Sequence, residues 1–379
     1  MKKVAFIMFS NLSMGAGTEN IVVQYCANSP EYWDITIVQT DNPSGVREYI
    51  KSDFKGKAVK IMTIPGYDQK FTFLSKNRAG TFLLLFFVFP LLFCVLKYTK
   101  YRKLWERIGH PDVVYLFGNY WSSLFPKGPL VIGSTNGWNP EKSGILKSLL
   151  TKLAGRGLMW KRIDYFHVFH HFEWFLGAYG VRGIPLDIGV DTRIFCPMKN
   201  KKPHKVAHFI FHARLEECKG IMRVADAMDI VVKRNKAVLR VVGRGQMSKH
   251  IENVDYIEYL GFQQGKGLAQ LLRESDCHVY PTSCDGFALV VLEALASGLY
   301  VITSNHLRGV YDEFEKIGVL EYCSLEPGEI AQRMENFLTM EFSQNKPNEA
   351  FELIKERYSW VTITKSLFDW FDEISAHKI

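Results

Sequence analysis

The stretch PTSCDGFALVVLEALASGLYVITS, residues 281–304, places two carboxylates in an otherwise apolar run. Its pattern predicts a strand at His278–Tyr280, a short loop, and a helix that begins near Phe287. Asp285 then lies just before the helix and Glu293 about two turns inside it. Because the neighbours of Glu293 are apolar, its charge is costly unless it has partners. The stretch therefore needs an explanation beyond a plain amphipathic helix.

The spacing of the two carboxylates suggests one ligand site. A helix with ~3.6 residues per turn brings positions 286 and 293 to roughly one face, so we expect Asp285 and Glu293 to face one cleft, ~10–12 Å apart. The acid–base pair of an ordinary glycosidase is closer, at ~5–9.5 Å. The wider spacing fits two hydroxyl-bearing parts of a long ligand, whose phosphate or sugar oxygens would meet the N–H groups of Gly286, Phe287 and Ala288. The alternatives are an N-cap role for Asp285 and a solvated helix position for Glu293.

Short apolar runs rich in β-branched residues alternate with helix-length segments along the chain. Such runs are typical of parallel strands buried on both faces, and the alternation predicts βαβ units in doubly wound α/β sheets. The predicted strands are Val4–Phe9, Ile35–Val38, Val59–Ile64, Val113–Phe117, Leu130–Gly133, Tyr165–Phe169, Val206–Phe211, Val238–Val242, Tyr256–Tyr259, His278–Tyr280 and Val301–Thr303.

The chain is long enough for two domains, since 379 residues exceed the usual size of one. The segment CPMKNKKPHK, residues 196–205, interrupts the strand–helix pattern with two prolines and several basic residues. We therefore predict two Rossmann-like domains, residues 1–198 and residues 199–359, with residues 360–379 completing the first.

The composition narrows the function classes. A net charge of +8 is too small to indicate nucleic acid as a partner, but it suits anionic ligands or an anionic membrane face. The seven cysteines are odd in number and form no CxxC pair, which favours reduced thiols in a cytosolic setting over a disulfide framework or a zinc site. The N-terminal run MKKVAFIMFS is too short for a signal peptide and is interpreted as the first strand.

The segment Phe82–Tyr98 is almost wholly apolar and contains Pro90. It is shorter than the ~20 residues that a membrane-spanning helix needs. Three interpretations are open: a buried helix, a helix dipping into one leaflet, and a true span. The basic residues at its end favour the second, because anionic headgroups attract them; these are Lys97, Lys100, Arg102, Lys103 and Arg107.

Several glycine turns follow predicted strands. Gly15 and Gly17 in SMGAGTENIVVQ follow the first strand and open a helix, where free N–H groups suit an anion. The alternative is a plain strand–helix turn, since the GxGxxG fingerprint is not met. The turns VVGRGQM, residues 241–247, and YLGF, residues 259–262, are weak signals alone, but both lie where ligands bind open α/β sheets.

The segment HARLEECKGIMRVADAM, residues 212–228, carries two cations at the end of another predicted strand. Arg214, as a planar fork, and Lys219, as a point charge, are suited to hold a diphosphate. The alternative is a pair of solvated surface charges.

Taken together, these segments resemble the successive motifs of the retaining family-four glycosyltransferases with the GT-B fold, the glycosyl transferases group 1. The fold implied is two Rossmann-like domains facing an interdomain cleft, with a C-terminal helix that crosses back to the first domain. The segments that carry the likeness are GAGTEN, IPLDIGVDTRIFCP (184–197), ARLEECKG, VVGRG, YLGF, PTSCDGFALVVLEALASGLYVITSN and ERYSW (356–360).

The resemblance assigns roles in the second domain. Arg214 and Lys219 would hold the diphosphate of a nucleotide sugar and neutralise the charge that develops as the nucleotide leaves, without a metal. Glu293 would accept hydrogen bonds from the ribose hydroxyls. Asp285 would contact the donor sugar, together with the backbone of Gly286, Phe287, Ala288 and Leu289.

The glycine turns receive roles on the same ground. The loop of Gly15 and Gly17 would close over the phosphates. Phe262 and the YLGF turn would lie near the base, and Gly243 would line the same site.

Two positions depart from the family pattern. Asp285 stands where the family usually has Glu, which leaves the sugar preference open. Asn136 stands where a His is often found, and Asn takes no proton at neutral pH, so help from this position on the acceptor side is in question. The nearby His167, His170 and His171 are more simply interpreted as structural or solvated.

The resemblance implies a retaining transfer of a hexose from a UDP- or GDP-sugar, in which the leaving phosphate oxygen takes the acceptor's proton. The Phe82–Tyr98 segment suggests a lipid-linked or membrane-associated glycan as acceptor and a peripheral place on the cytoplasmic face of a membrane. Two other functions are consistent with the sequence: a sugar-nucleotide epimerase of the same architecture, and a nucleotide-binding relative without activity.

Overall fold

The computed structural model describes residues 1–8, 12, 17–40, 54–64, 103, 105–117, 130–133, 164–198, 204–341 and 345–376. The chain forms two compact units. The first consists of Met1–Asp187 and Ile363–Ile379, and the second of Ile188–Thr362.

The structural boundary lies earlier in the chain than the predicted one after residue 198. Val190 pairs with Ser359, and Arg273 donates to the backbone oxygen of Ile194 at 2.9 Å. These contacts attach the segment after Asp187 to the second unit. The predicted linker at residues 196–205 therefore begins inside the second unit rather than between the two units.

The first unit is built on a parallel sheet of seven strands in the order β3-β2-β1-β4-β5-β6-β7. All its strand pairs are parallel. Its strands are β1 (Lys2–Ile7), β2 (Trp33–Thr40), β3 (Val59–Ile64), β4 (Val113–Phe117), β5 (Leu130–Gly133), β6 (Tyr165–Val168) and β7 (Gly183–Pro185), and its described helices include α1 (Gly17–Asn28) and α2 (Trp174–Tyr179).

The second unit has a parallel sheet of six strands in the order β10-β9-β8-β11-β12-β13. Its helices form packed groups, such as α3 with α8 and α6 with α9. The strands are β8 (Ala207–His212), β9 (Ala237–Val242), β10 (Ile257–Tyr259), β11 (Cys277–Tyr280), β12 (Tyr300–Ser304) and β13 (Leu320–Cys323). The helices are α3 (Ile221–Val232), α4 (Ser248–Ile251), α5 (Gly265–Arg273), α6 (Leu289–Ala296), α7 (Asp312–Ile317), α8 (Pro327–Thr339) and α9 (Asn345–Arg357).

The last helix, α10 (Trp360–Ala376), returns the chain to the first unit, as the sequence predicts. Phe368 lies with its ring 6.5 Å from that of Phe6 in β1 and 5.6 Å from that of Trp33 in β2. Phe371 contacts the same two rings. Because these aromatic side chains are buried, the helix contributes a large share of the apolar core of this unit.

The sequence finds most of the strands and misses two. The predicted bounds of Val59–Ile64, Val113–Phe117 and Leu130–Gly133 match the structure. The missed strands are β7, which has three residues including a proline, and β13, which has four residues including a glutamate. Both are edge strands of their sheets, and short edge strands with polar residues give little apolar pattern to detect.

Three predicted features, the segment Phe82–Tyr98, Gly15 and Asn136, lie outside the described residues. Within the described ranges, the helices are all too short or too polar to cross a bilayer.

We predict that Phe368→Ala lowers the free energy of unfolding by ~3–5 kcal/mol, because the truncation leaves a cavity in the aromatic core. The control is Val361→Ala in the same helix, where the side chain is 61% exposed and a change within ~0.5 kcal/mol is expected. Urea unfolding of both variants gives the measurement. Equal effects would contradict the packing described for α10.

Candidate functional site

The candidate functional side chains lie at the carboxyl ends of the strands in the second unit's sheet. Strands β8 and β11 are parallel neighbours, and so are β8 and β9. They end at His212, Tyr280 and Val242. Since parallel strands all point the same way, the loops that follow them leave the same edge of the sheet, where open α/β folds bind their ligands.

The loops after β8 and β11 touch each other through their backbones. The Ser283 N–H donates to the Cys218 carbonyl oxygen at 2.9 Å. Gly220 has φ +90°, and a Cβ there would lie 2.3 Å from the Pro281 carbonyl oxygen. Only glycine combines this backbone conformation with so close an approach. The contact fixes the two loops against each other.

An ion pair joins the same two loops. Lys219 Nζ bonds to Asp285 Oδ1, with side chains only 10% and 17% exposed. The other carboxylate oxygen accepts hydrogen bonds from Tyr280 Oη at 2.6 Å and Thr282 Oγ1 at 2.8 Å. Burial, with the Asp285 charge as the second cause, raises the pKa of Tyr280 well above its usual value, so its hydroxyl stays a donor. Two of the predicted site residues are thus in contact.

Glu293 lies in α6 and meets a residue from the end of β8. His212 Nε2 is 3.1 Å from Glu293 Oε2, and the histidine side chain is 4% exposed. The ring of His212 lies 4.7 Å from that of His278 in β11. Burial, followed by the proximity of His212, lowers the pKa of His278 well below its usual value, so this ring is neutral. The costly carboxylate in an apolar helix therefore has a partner.

A row of side chains connects the two predicted carboxylates beneath the loops. Asp285 bonds to Tyr280, whose ring stacks on that of His278 at 5.8 Å. His278 packs on His212, which contacts Glu293. The row runs from one carboxylate to the other through two neighbouring strands.

Arg214 belongs to the same loop as Lys219 but is placed differently. Its guanidinium pairs with Glu216, and its side chain is 66% exposed. The structure therefore gives the two predicted cations different settings: Lys219 is buried and fixed, whereas Arg214 faces solvent and is held by an exposed contact of low strength.

The glycine turn after β9 packs against the Arg214 loop, and the turn after β10 contacts the turn after β9. A Cβ on Gly243 would lie 1.9 Å from the Ala213 carbonyl oxygen. The Gly243 N–H donates to the Gly261 carbonyl oxygen at 2.8 Å. The Phe262 side chain is 47% exposed, and its ring lies 4.9 Å from the Arg244 guanidinium carbon. The two weak turn signals thus meet at the predicted edge.

The start of α6 differs from the prediction. The helix begins at Leu289 rather than near Phe287, with Ala288 extended as its N-cap. The Ala288 N–H donates to Tyr311 Oη at 3.1 Å, so it is not the exposed donor that we expected. Phe287 is buried and Gly286 is half-buried.

The interpretation of Asp285 as an N-cap is wrong, since Asp285 precedes the helix by several residues and makes no capping bond. The reasoning that put positions 286 and 293 on one helix face also fails, because residue 286 is not helical. Sheet contacts, rather than helix periodicity, relate the two carboxylates.

In the first unit, Gly17 is the first residue of α1. His167 is buried, 2.5 Å from Tyr115 Oη and 2.7 Å from the Leu186 carbonyl oxygen, and burial lowers its pKa to about 4. His170 Nδ1 is 2.9 Å from Asp187 Oδ2. Contacts within the protein therefore account for His167 and His170, in agreement with their interpretation as structural residues.

Sequence reasoning missed His212, Tyr280 and Thr282. Part of the signal was present, because Tyr280 ends the predicted strand His278–Tyr280 and His212 directly follows the predicted strand Val206–Phe211. The strand order decides which strand ends lie side by side, and local sequence does not reveal that order.

Comparison with known proteins addresses the same part of the chain. Residues 195–353 match the family model described as glycosyl transferases group 1. The matched residues lie in the second unit. The two carboxylates, both cations and His212 all lie inside the matched residues.

Two curated relatives extend this finding. The chain is 31% identical over 166 residues to an uncharacterized glycosyltransferase, MJ1607, of Methanocaldococcus jannaschii, covering 41% of this chain and 42% of the relative. It is 24% identical over 191 residues to the phosphatidylinositol N-acetylglucosaminyltransferase gpi3 subunit of Schizosaccharomyces pombe, covering 48% and 41%. The matches span about two fifths of each relative's length.

Solved structures show that the chain has the GT-B fold. Sucrose-phosphate synthase of Thermosynechococcus elongatus aligns with a TM-score of 0.71 at 13% identity, covering 99% of this chain and 100% of that one. HepE of Anabaena, in complex with UDP and glucose, aligns with a TM-score of 0.68 at 14% identity, covering 98% and 100%. The predicted fold class is confirmed.

We predict that the Lys219–Asp285 pair behaves as one unit in stability. Lys219→Met and Asp285→Asn should each destabilise the protein by ~3–5 kcal/mol, because each leaves a buried charge or its partners uncompensated. The double variant should lose less than the sum, with a coupling of ~1–3 kcal/mol. Urea unfolding of the four proteins measures the cycle. Additive losses would show that the pair contributes no mutual stabilisation.

Proposed function

We propose that the protein is a retaining glycosyltransferase that moves a hexose-type sugar from a UDP- or GDP-sugar to a glycan acceptor. The observation that carries the proposal is the meeting of Lys219, Asp285 and the His212–Glu293 pair at the carboxyl edge of one parallel sheet. A cation and two carboxylates at this edge match the parts of a nucleotide sugar, which are a diphosphate and two groups bearing hydroxyls.

The cations are suited to the diphosphate. Asp285, Tyr280 and Thr282 orient the Lys219 ammonium through their shared bonds, so the charge is in place before the ligand binds. Arg214 exchanges its exposed contact with Glu216 for phosphate oxygens at little cost. Both charges stabilise the negative charge on the nucleoside diphosphate as the sugar leaves.

The transfer proceeds on one face of the sugar. The bond between the anomeric carbon and the phosphate oxygen breaks, the acceptor oxygen bonds to the same face, and the leaving phosphate oxygen takes the acceptor's proton. Glu293 holds the ribose hydroxyls, and Asp285, with Gly286, Phe287 and Leu289, lies beside the sugar. The turns of Gly243 and Phe262 lie toward the base.

The acceptor is a lipid-linked or membrane-associated glycan. The apolar segment Phe82–Tyr98 with the basic residues after it supports a peripheral place on the cytoplasmic face of a membrane. The name of the gpi3 relative mentions phosphatidylinositol, which is consistent with such an acceptor. The HepE structure contains UDP and glucose, which supports a nucleotide-sugar donor.

We predict that purified protein transfers sugar from a member of a UDP- and GDP-sugar panel to a membrane lipid extract. NMR of the product should show the anomeric configuration of the donor. Glu293→Gln should lower the rate at least about tenfold, since hydrogen bonds to a charged acceptor are lost. Glu352→Gln, at a side chain 67% exposed, is the matched control.

Three outcomes contradict the proposal. Conversion of the nucleotide sugar without an acceptor would indicate an epimerase, and binding without turnover would indicate an inactive relative. Full activity of Glu293→Gln would separate this carboxylate from the site.

We also propose that the reaction needs no metal ion, because Lys219 and Arg214 supply positive charge where a metal would act. Among the described residues, the cluster with metal-ligand spacing is His204, His208 and Asp276. It lies at the beginning of β8, whereas the candidate site lies at the strand's end.

We predict that EDTA leaves the transfer rate unchanged within about twofold. Lys219→Met should lower the rate strongly, because the buried one of the two positive charges proposed to hold the diphosphate is lost. Rates with EDTA, Mg²⁺ and Mn²⁺ are the measurement. A rate that falls in EDTA and returns with Mg²⁺ would overturn the metal-free proposal.

A further inference from the structure

Glu293 and Asp285 differ in how many hydrogen bonds they already accept from the protein. Asp285 accepts from Lys219, Tyr280 and Thr282. Glu293 has one bond among the described residues, from His212 to Oε2. A carboxylate offers about four acceptor positions, so Glu293 keeps most of its capacity for a ligand, including the whole of Oε1.

His212 is placed to give Glu293 one defined orientation. It is the last residue of β8, the histidine is buried, and its Nε2 lies 3.1 Å from the carboxylate. A carboxylate oxygen only accepts, so the contact assigns the proton to Nε2. The strand and the packing against His278 fix the ring. The ring therefore fixes the position of one carboxylate oxygen.

Among the described residues, no second hydrogen-bond partner competes with Glu293 for His212. Its Nδ1 is buried without a hydrogen-bond partner within the described part of the chain, as are both ring nitrogens of His278. Glu293 is thus the hydrogen-bond partner that the described residues give the His212 ring.

We propose that His212 is a positioning residue that holds the Glu293 carboxylate in the orientation that binds the ribose hydroxyls of the nucleotide. The proposal rests on the function proposed above, and it adds a residue that neither the motifs nor the comparisons assign. His212 acts only through Glu293 and touches no part of the ligand itself.

The test compares two amides that differ in reach. In His212→Gln the amide nitrogen lies near the position of Nε2 and still donates to Glu293. In His212→Asn the side chain is one methylene shorter, so its amide nitrogen does not reach Glu293. Binding is measured by calorimetry for UDP and GDP, and then for the 2′,3′-dideoxy form of the one that binds. Thermal unfolding checks that each variant is folded.

We expect wild type and His212→Gln to prefer the ribose form by about tenfold or more, as hydrogen bonds to a charged group require. In His212→Asn the preference should fall to about twofold or less, with the dideoxy affinity unchanged. A loss of affinity for both forms alike would show a merely structural role, and a preserved preference in His212→Asn would show that His212 is dispensable. Either result overturns the proposal.

Glu293→Gln separates this proposal from the proposed function. If wild type prefers the ribose form and Glu293→Gln does not, the ribose role of Glu293 stands, and the His212 variants alone decide the present proposal. If wild type binds neither nucleotide, or shows no preference between the two forms, the proposed function itself fails at this site, and the His212 proposal fails with it.

Discussion

The Lys219–Asp285 ion pair is the interaction on which the candidate site depends. It connects the loops after β8 and β11, and both side chains are largely buried. A buried pair of this kind is tolerated only when its remaining hydrogen-bonding positions are filled, and Tyr280 and Thr282 do this for the carboxylate. The cation is consequently oriented by the protein before any ligand arrives.

The sheet makes this arrangement possible. Adjacent parallel strands bring loops that are distant in sequence to one edge, so a lysine from one loop meets an aspartate from the next. The close approach of Gly220 to Pro281 needs a residue without a side chain. The backbone bond between Ser283 and Cys218 then sets the spacing of the loops. The absence of a side chain at Gly220 and the strand order together determine which side chains of the two loops meet.

The sequence predicted the strands of the second unit better than the contacts between the candidate site residues. Periodicity located β8 and β11, and motif resemblance selected Lys219, Asp285 and Glu293. Periodicity also extended α6 through Phe287, because nothing in the sequence shows that Tyr311 takes both polar backbone groups of Ala288. The partnership of His212 with Glu293 depends on strand order, which tertiary packing sets and local sequence does not encode.

The two candidate carboxylates differ in how many of their acceptor positions the protein fills. Both oxygens of Asp285 already accept hydrogen bonds from the protein, so this group has about one acceptor position left. Asp285 therefore contributes mainly by orienting the cation. Glu293, with a single donor among the described residues, is the carboxylate with capacity to hold two hydroxyls of a ligand.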